Sequence, residues 1–134
     1  IKLLLADKNL HFIPNEKLIS FYSQLHIYTC VSDCEGTPKP LLEAIGCAIP
    51  VICTDVGIAQ EALGEKQKQY ILGERIIGKN DAYIKNQLKE KIKFLYTHRE
   101  RLKELSQENY QSSQKYEIQQ MKKVYENYFR SMLV

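Results

Sequence analysis

Apolar positions follow two patterns along this chain. Up to residue 57 they form short runs separated by helical stretches, and beyond residue 80 they recur every three or four positions. Residues 10–13 read as a strand, closed by a turn at Pro14 and Asn15. Residues 16–24 carry Leu18, Ile19, Phe21 and Tyr22 at helix spacing. Residues 26–31 hold Ile27-Tyr28-Thr29-Cys30-Val31, a β-rich run suited to a buried strand. A loop with Gly36, Pro38 and Pro40 follows over 33–40, then a short helix over 41–47. Ala48, Ile49 and Pro50 turn the chain into a second buried strand at 51–54, and Asp55-Val56-Gly57 is the loop at its end.

Continuous apolar strands joined by helices predict an α/β fold: a Rossmann-like parallel sheet covered by helices on both faces. Ligands of such sheets bind outside the carboxyl ends of the strands. Two loops fall there, 32–40 and 55–59. In the second half, Asp81 is the expected N-cap of a helix carrying Ile84, Leu88, Ile92 and Leu95. Residues 99–110 repeat the pattern with Leu102 and Leu105. Residues 117–132 bring Ile118, Met121, Tyr125, Tyr128 and Met132 to one side, a stripe most simply read as facing a core.

Length and composition narrow the picture. The chain has 134 residues, enough for one compact domain and too few for two. Its apolar runs are well short of the roughly 20 residues of a membrane span. It lacks an initiator Met and opens in mid-pattern, so an N-terminal part is expected to be missing. Residues 1–64 carry a net charge of −3 and residues 65–134 one of +6. The basic residues sit among acidic neighbours on amphipathic helices, the pattern of a solvated surface rather than a nucleic-acid interface. Cys30, Cys47 and Cys53 lie among apolar residues and read as reduced core thiols. With no Cys-x-x-Cys pair, no metal site is expected. His11, His26 and His98 come with no nucleophile setting, so core or surface roles are expected.

The candidate chemistry lies around the helix that opens near Pro38. At 100° per residue, Leu41, Ala44, Ile45 and Ala48 share the face that packs on the sheet, and Lys39, Glu43 and Gly46 share the opposite one. A helix start offers unpaired N–H groups and a positive dipole end to phosphate oxygens. Thr37 is the expected N-cap and Pro38 the first helical residue, which leaves the amides of Gly36, Thr37, Lys39 and Leu41 for such contacts. Glu43 lies one turn in, where a carboxylate can accept from a ribose diol; Glu35 precedes the helix. By residue type alone, each glutamate reads first as a solvated surface group, ahead of the functional reading.

The stretch from Glu35 to Gly57 runs Glu-Gly-Thr-Pro-Lys-Pro-Leu-Leu-Glu-Ala-Ile-Gly-Cys-Ala-Ile-Pro-Val-Ile-Cys-Thr-Asp-Val-Gly. It resembles the signature of the family 4 (group 1) glycosyltransferases, whose two glutamates are separated by seven residues and followed by Pro-Val-Ile and a Thr-Asp-x-Gly loop. Upstream, Phe12-Ile13-Pro14-Asn15 with Phe21-Tyr22, and downstream the helix ending in Tyr125-Glu126-Asn127-Tyr128, are similar to the family's flanking elements. The resemblance implies the C-terminal, donor-binding domain of a GT-B enzyme that transfers a sugar, with retention and without a metal or cofactor, from a nucleotide sugar to a glycan or lipid-linked acceptor. A UDP-sugar is the first expectation for the donor. By position, Glu35 is implied as the catalytic contact to the donor sugar and Glu43 as the ribose ligand. Gly36, Thr37 and Lys39 fall beside the diphosphate or sugar, Leu42 near the nucleoside, and Ile13 and Pro14 beside the base.

On this reading residues 1–112 form a partial Rossmann-like nucleotide-sugar-binding domain and residues 113–134 a C-terminal closing helix. A cytoplasmic setting is expected, with peripheral contact at the inner membrane face compatible with it. Thr37-Pro38 replaces the family's commoner Phe-Gly, and Ile58 a frequent Gly. The family's phosphate-clamping Arg and Lys and its acceptor-binding domain precede the part covered by this chain, so transfer by the chain alone is not expected. A non-catalytic nucleotide-binding or interaction domain on the same fold is the alternative. A dehydrogenase ranks below both, because no G-x-G-x-x-G follows a strand.

Overall fold

The computed structural model describes Leu4 and residues 12–133. The strand expected over 10–13 begins outside the described residues, and Phe12 and Ile13 take no regular structure. Helix α1 spans Asn15–Tyr22, strand β1 Tyr28–Cys30, helix α2 Lys39–Gly46 and strand β2 Val51–Cys53. Two single-turn helices follow, α3 over Ala59–Ala62 and α4 over Glu65–Lys68. The long helices are α5, Asp81–Thr97, and α6, Arg99–Ser113; a 3-10 turn at Gln114–Tyr116 leads to α7, Ile118–Ser131.

β1 and β2 pair in parallel, Tyr28 opposite Val51 and Cys30 opposite Cys53, with α2 as the crossover between them. Ile71 adds a parallel bridge on the other side of β2, at Cys53. Each residue of β2 is fully buried, and its side chains alternate between two apolar layers. Val51 and Cys53 face Tyr22, Leu41, Ala44 and Ile45 from α1 and α2. Ile52 faces Tyr70, Leu72, Ile84, Leu95 and Leu105, the last three from α5 and α6. The α/β reading with helices on both faces of a parallel sheet therefore holds. Each buried Leu or Ile contributes about 1.5–3 kcal/mol relative to an exposed one. Burial also pushes the Cys53 thiol up to about 12, which makes it an unreactive core group.

Below Ile71 a side chain carries on the ladder along β2. The amide of buried Gln67 accepts from the Val51 N–H at 3.1 Å and donates to the Val51 carbonyl at 2.6 Å, as a neighbouring peptide unit would. Asn109 of α6 donates to that Gln67 oxygen and to the Ile49 carbonyl, each at 2.8 Å. Glu108 accepts from the Lys66 and Gln67 amides, capping the start of α4. Two polar residues of α6 are thereby tied to the sheet through α4.

The structure corrects four local expectations. Pro38 rather than Thr37 is the N-cap of α2, because the helical path begins only at Lys39. Asn80, not Asp81, caps α5; the Asp81 carboxylate instead accepts from the Gly78 amide and from Arg75. Ala48 is not on the packed face of α2 but just past its end, at φ +59°. There the Ala48 amide bonds Ile45 and the Ile49 amide bonds Ala44, the paired closure that usually carries glycine. Cys47, in the turn that ends α2, is exposed rather than in the core.

The stripe on α7 does not face a core among the described residues. Ile118, Tyr125, Tyr128 and Met132 of the stripe are exposed and Met121 is half-buried; Val124 and Phe129 of the same helix are exposed as well. Amphipathic spacing shows that a face is apolar but not what covers it.

Replacing Gln67 by Ala strands a buried N–H, a buried carbonyl and the Asn109 amide, each at about 1–3 kcal/mol. Gln67→Ala is expected to lower the unfolding free energy by at least about 3 kcal/mol, measured by urea titration. A loss under about 1 kcal/mol would show that the side-chain ladder is dispensable.

Candidate functional site

Both strands end at the same side of the sheet, and the loops that leave them touch there. Gly57 sits at φ +52° with its Cα pressed on the loop of Gly36. A Cβ at this position would lie 2.0 Å from the Gly36 carbonyl oxygen, so only glycine fits. The chain between Leu72 and α5 closes a third side: the Asp55 amide donates to the Gly73 carbonyl at 2.8 Å.

Glu35 and Glu43 are both exposed residues, as are Gly36, Thr37 and Lys39 beside them. The Ser32 hydroxyl donates to Glu35 Oε1 at 2.9 Å. The Tyr22 hydroxyl, from α1, donates to Glu43 Oε2 at 2.8 Å and lies 3.4 Å from the Pro40 carbonyl. Burial, and then the Glu43 carboxylate, push the Tyr22 hydroxyl well above its ordinary range, so it remains a proton donor. Among the described residues Oε1 of Glu43 meets no donor, and it is free to accept from a ligand.

At the start of α2 the Leu41 amide is taken by the Pro38 carbonyl at 2.9 Å, so it drops out of the set of amides expected to meet a ligand. Pro40 has no N–H. The amides of Gly36, Thr37 and Lys39 meet no acceptor among the described residues. Together with the Lys39 ammonium and the helix dipole, they make a small electropositive patch next to two carboxylates. Leu42 is half-buried against the α1–α2 core layer, and Ile13 and Pro14 lie half-buried just before α1.

Residue spacing did not single out Tyr22, Ser32, Thr54 or Arg75, which the structure brings to this region. Tyr22 is 21 positions from Glu43, and Arg75 is 44 from the Val31 carbonyl it binds, so no local pattern links them. A groove of about 450 Å³ opens at the other end of the strands, lined by His26, Cys47, Pro50 and Lys103. It lies at the start of the strands, away from the ends where parallel sheets bind ligands, although Tyr22, which bonds Glu43, is also part of its wall.

The family model "Glycosyl transferases group 1" matches residues 2–112, and the chain belongs to that family. Among curated proteins, the chain is 34% identical over 56 residues to the O-antigen chain mannosyltransferase B of Escherichia coli, covering 42% of this chain and 15% of that protein. It is 33% identical over 55 residues to the putative teichuronic acid biosynthesis glycosyltransferase TuaC of Bacillus subtilis (strain 168), covering 41% of this chain and 14% of that protein. Each matched stretch is thus about one seventh of its relative's length. No solved structure matches the chain significantly. The family is one of transferases acting on a sugar donor and an acceptor.

Gly57→Ala forces a side chain into the left-handed region and against a carbonyl. The expected loss is about 2 kcal/mol or more, read from thermal unfolding, with changed amide NMR shifts at Gly36. Wild-type stability together with an unmoved Gly36 resonance would contradict the loop contact.

Proposed function

We propose that this chain is the donor-binding part of a retaining glycosyltransferase of GT-B architecture that uses a nucleotide sugar, a UDP-sugar in the first instance. The observation that carries the proposal is the meeting of two glutamates and a helix start with unbonded amides at the carboxyl end of a parallel sheet, within a group 1 glycosyltransferase match. Glu43 would accept from the ribose hydroxyls through the oxygen that Tyr22 leaves free. Gly36, Thr37 and Lys39 would face the diphosphate, and Leu42, Ile13 and Pro14 the nucleoside. Glu35 would contact the sugar and stabilise the positive charge that develops at its anomeric carbon.

The acceptor is proposed to be a glycan or a lipid-linked glycan, in keeping with the O-antigen and teichuronic acid named for the two relatives. Residues that hold such an acceptor would lie outside this chain. No described helix is long and apolar enough to cross a membrane. The proposed setting is the cytoplasm, with peripheral contact at the inner membrane face.

Two charge-assisted hydrogen bonds to a ribose, at about 1.5–3 kcal/mol each, set the expected effect. By isothermal titration with UDP, Glu43→Ala is expected to weaken binding at least about 100-fold, while Glu35→Ala leaves UDP affinity near wild type and lowers sugar transfer by the enzyme that carries this chain. UDP affinity unchanged in Glu43→Ala, with GDP and ADP behaving alike, would sink the ribose assignment. Binding without turnover of any nucleotide sugar would favour the non-catalytic alternative.

A further inference from the structure

The backbone that leads into the site loop is gripped at three successive carbonyls. The Cys30 carbonyl accepts from the Thr54 amide at 3.0 Å. The Val31 carbonyl accepts from an Arg75 guanidinium nitrogen at 2.8 Å. The Ser32 carbonyl accepts from the Thr54 hydroxyl at 2.5 Å. Thr54 is fully buried, and the Arg75 Nε is itself held by Asp81 at 3.0 Å, so neither donor is a loose surface group. What this grip holds in place is Ser32, whose hydroxyl donates to Glu35 Oε1 at 2.9 Å.

We propose that Ser32 is the positioning residue for Glu35, and that Thr54 and Arg75 act through the Val31 and Ser32 carbonyls to fix Ser32. The proposal rests on the reading of Glu35 as the donor-sugar contact. A glutamate on an exposed loop otherwise spreads over several rotamers, and ordering a long side chain costs up to about 2 kcal/mol. One hydrogen bond from a fixed hydroxyl prepays part of that ordering and leaves Oε2 of Glu35 for the sugar. A carboxylate displaced by about 1 Å from the developing charge can cost on the order of 100-fold in rate. The Thr54 hydroxyl reaches the site loop from the end of β2, and Arg75 reaches it from the segment after Leu72. The three chain segments that meet at the carboxyl end of the sheet therefore converge on the backbone that carries Ser32.

The test uses the enzyme that carries this chain, with UDP-glucose, UDP-N-acetylglucosamine and GDP-mannose as donor probes, and the carboxyl carbon resonance of Glu35 at pH 7. Ser32→Ala is expected to lower kcat about 10-fold or more, the weight of one hydrogen bond to a charged group. UDP affinity should change less than about 3-fold, since Glu43 and the helix start are untouched. The Glu35 resonance should move in Ser32→Ala and in Thr54→Val, and return in Ser32→Thr and Thr54→Ser. Rescue of kcat by Ser32→Thr would separate positioning from a loss of packing. If Glu35→Gln impairs transfer while Ser32→Ala does not, the positioning role is overturned and the site reading stands. An unmoved Glu35 resonance in Ser32→Ala overturns it independently of turnover. If Glu35→Gln transfers sugar at the wild-type rate, the site reading fails and the positioning role falls with it.

Discussion

The arrangement of this molecule depends on the need to pair every backbone polar group of a strand that water cannot reach. Val51, Ile52 and Cys53 are fully buried, and an unpaired N–H or carbonyl there would cost about 1–3 kcal/mol. β1 satisfies one edge. The other edge is satisfied in pieces: the Gln67 side chain at Val51, then the Tyr70 carbonyl and the Leu72 amide at Cys53, then the Gly73 carbonyl at Asp55. This sequence of partners sets where the chain after α4 runs. It also draws in α6, through Asn109 and Glu108.

The same pairing builds the site. The residue after β2, fully buried Thr54, bonds the exit of β1 through both its amide and its hydroxyl. That fixes the loop carrying Glu35. Two residues past Asp55, Gly57 closes on Gly36 and sets how near the two loops come. On the far side of the first loop, α2 buries Leu41, Ala44 and Ile45 in the sheet, which leaves Lys39 and Glu43 outward. Tyr22 then determines the pose of Glu43 from the neighbouring helix. The donor-facing groups are thus positioned by contacts that serve the core first.

Much of this was legible in the residues. The continuous apolar runs at 27–31 and 51–54 predicted a buried parallel pair. The pairing holds, but only β2 is fully buried, while Thr29 of β1 is exposed and its neighbours are half-buried. The 100° spacing divided α2 into the buried and exposed faces observed. Placing the ligand side at the ends of the strands needed only the order of elements. The remainder was not local. Tyr22 reads as one more apolar helix position, since its partner is 21 residues away. Gln67 reads as a surface residue in a polar stretch, yet it completes a sheet. Ala48 occupies a position where glycine would have signalled the helix end, so the apolar face of α2 looked one residue too long. In α7 the spacing was legible but its consequence was not, because amphipathicity says nothing about what a helix lies against.

The central claim is that the loops at the carboxyl ends of β1 and β2 bind the nucleotide diphosphate. Amide NMR shifts of the isotopically labelled protein, followed through a titration with UDP, test it most directly. The account predicts that the perturbed amides cluster at Gly36, Thr37, Lys39 and Glu43, extend to Gly57, and saturate with one affinity. Shifts concentrated instead around His26, Cys47 and Lys103, at the opposite end of the strands, would contradict it.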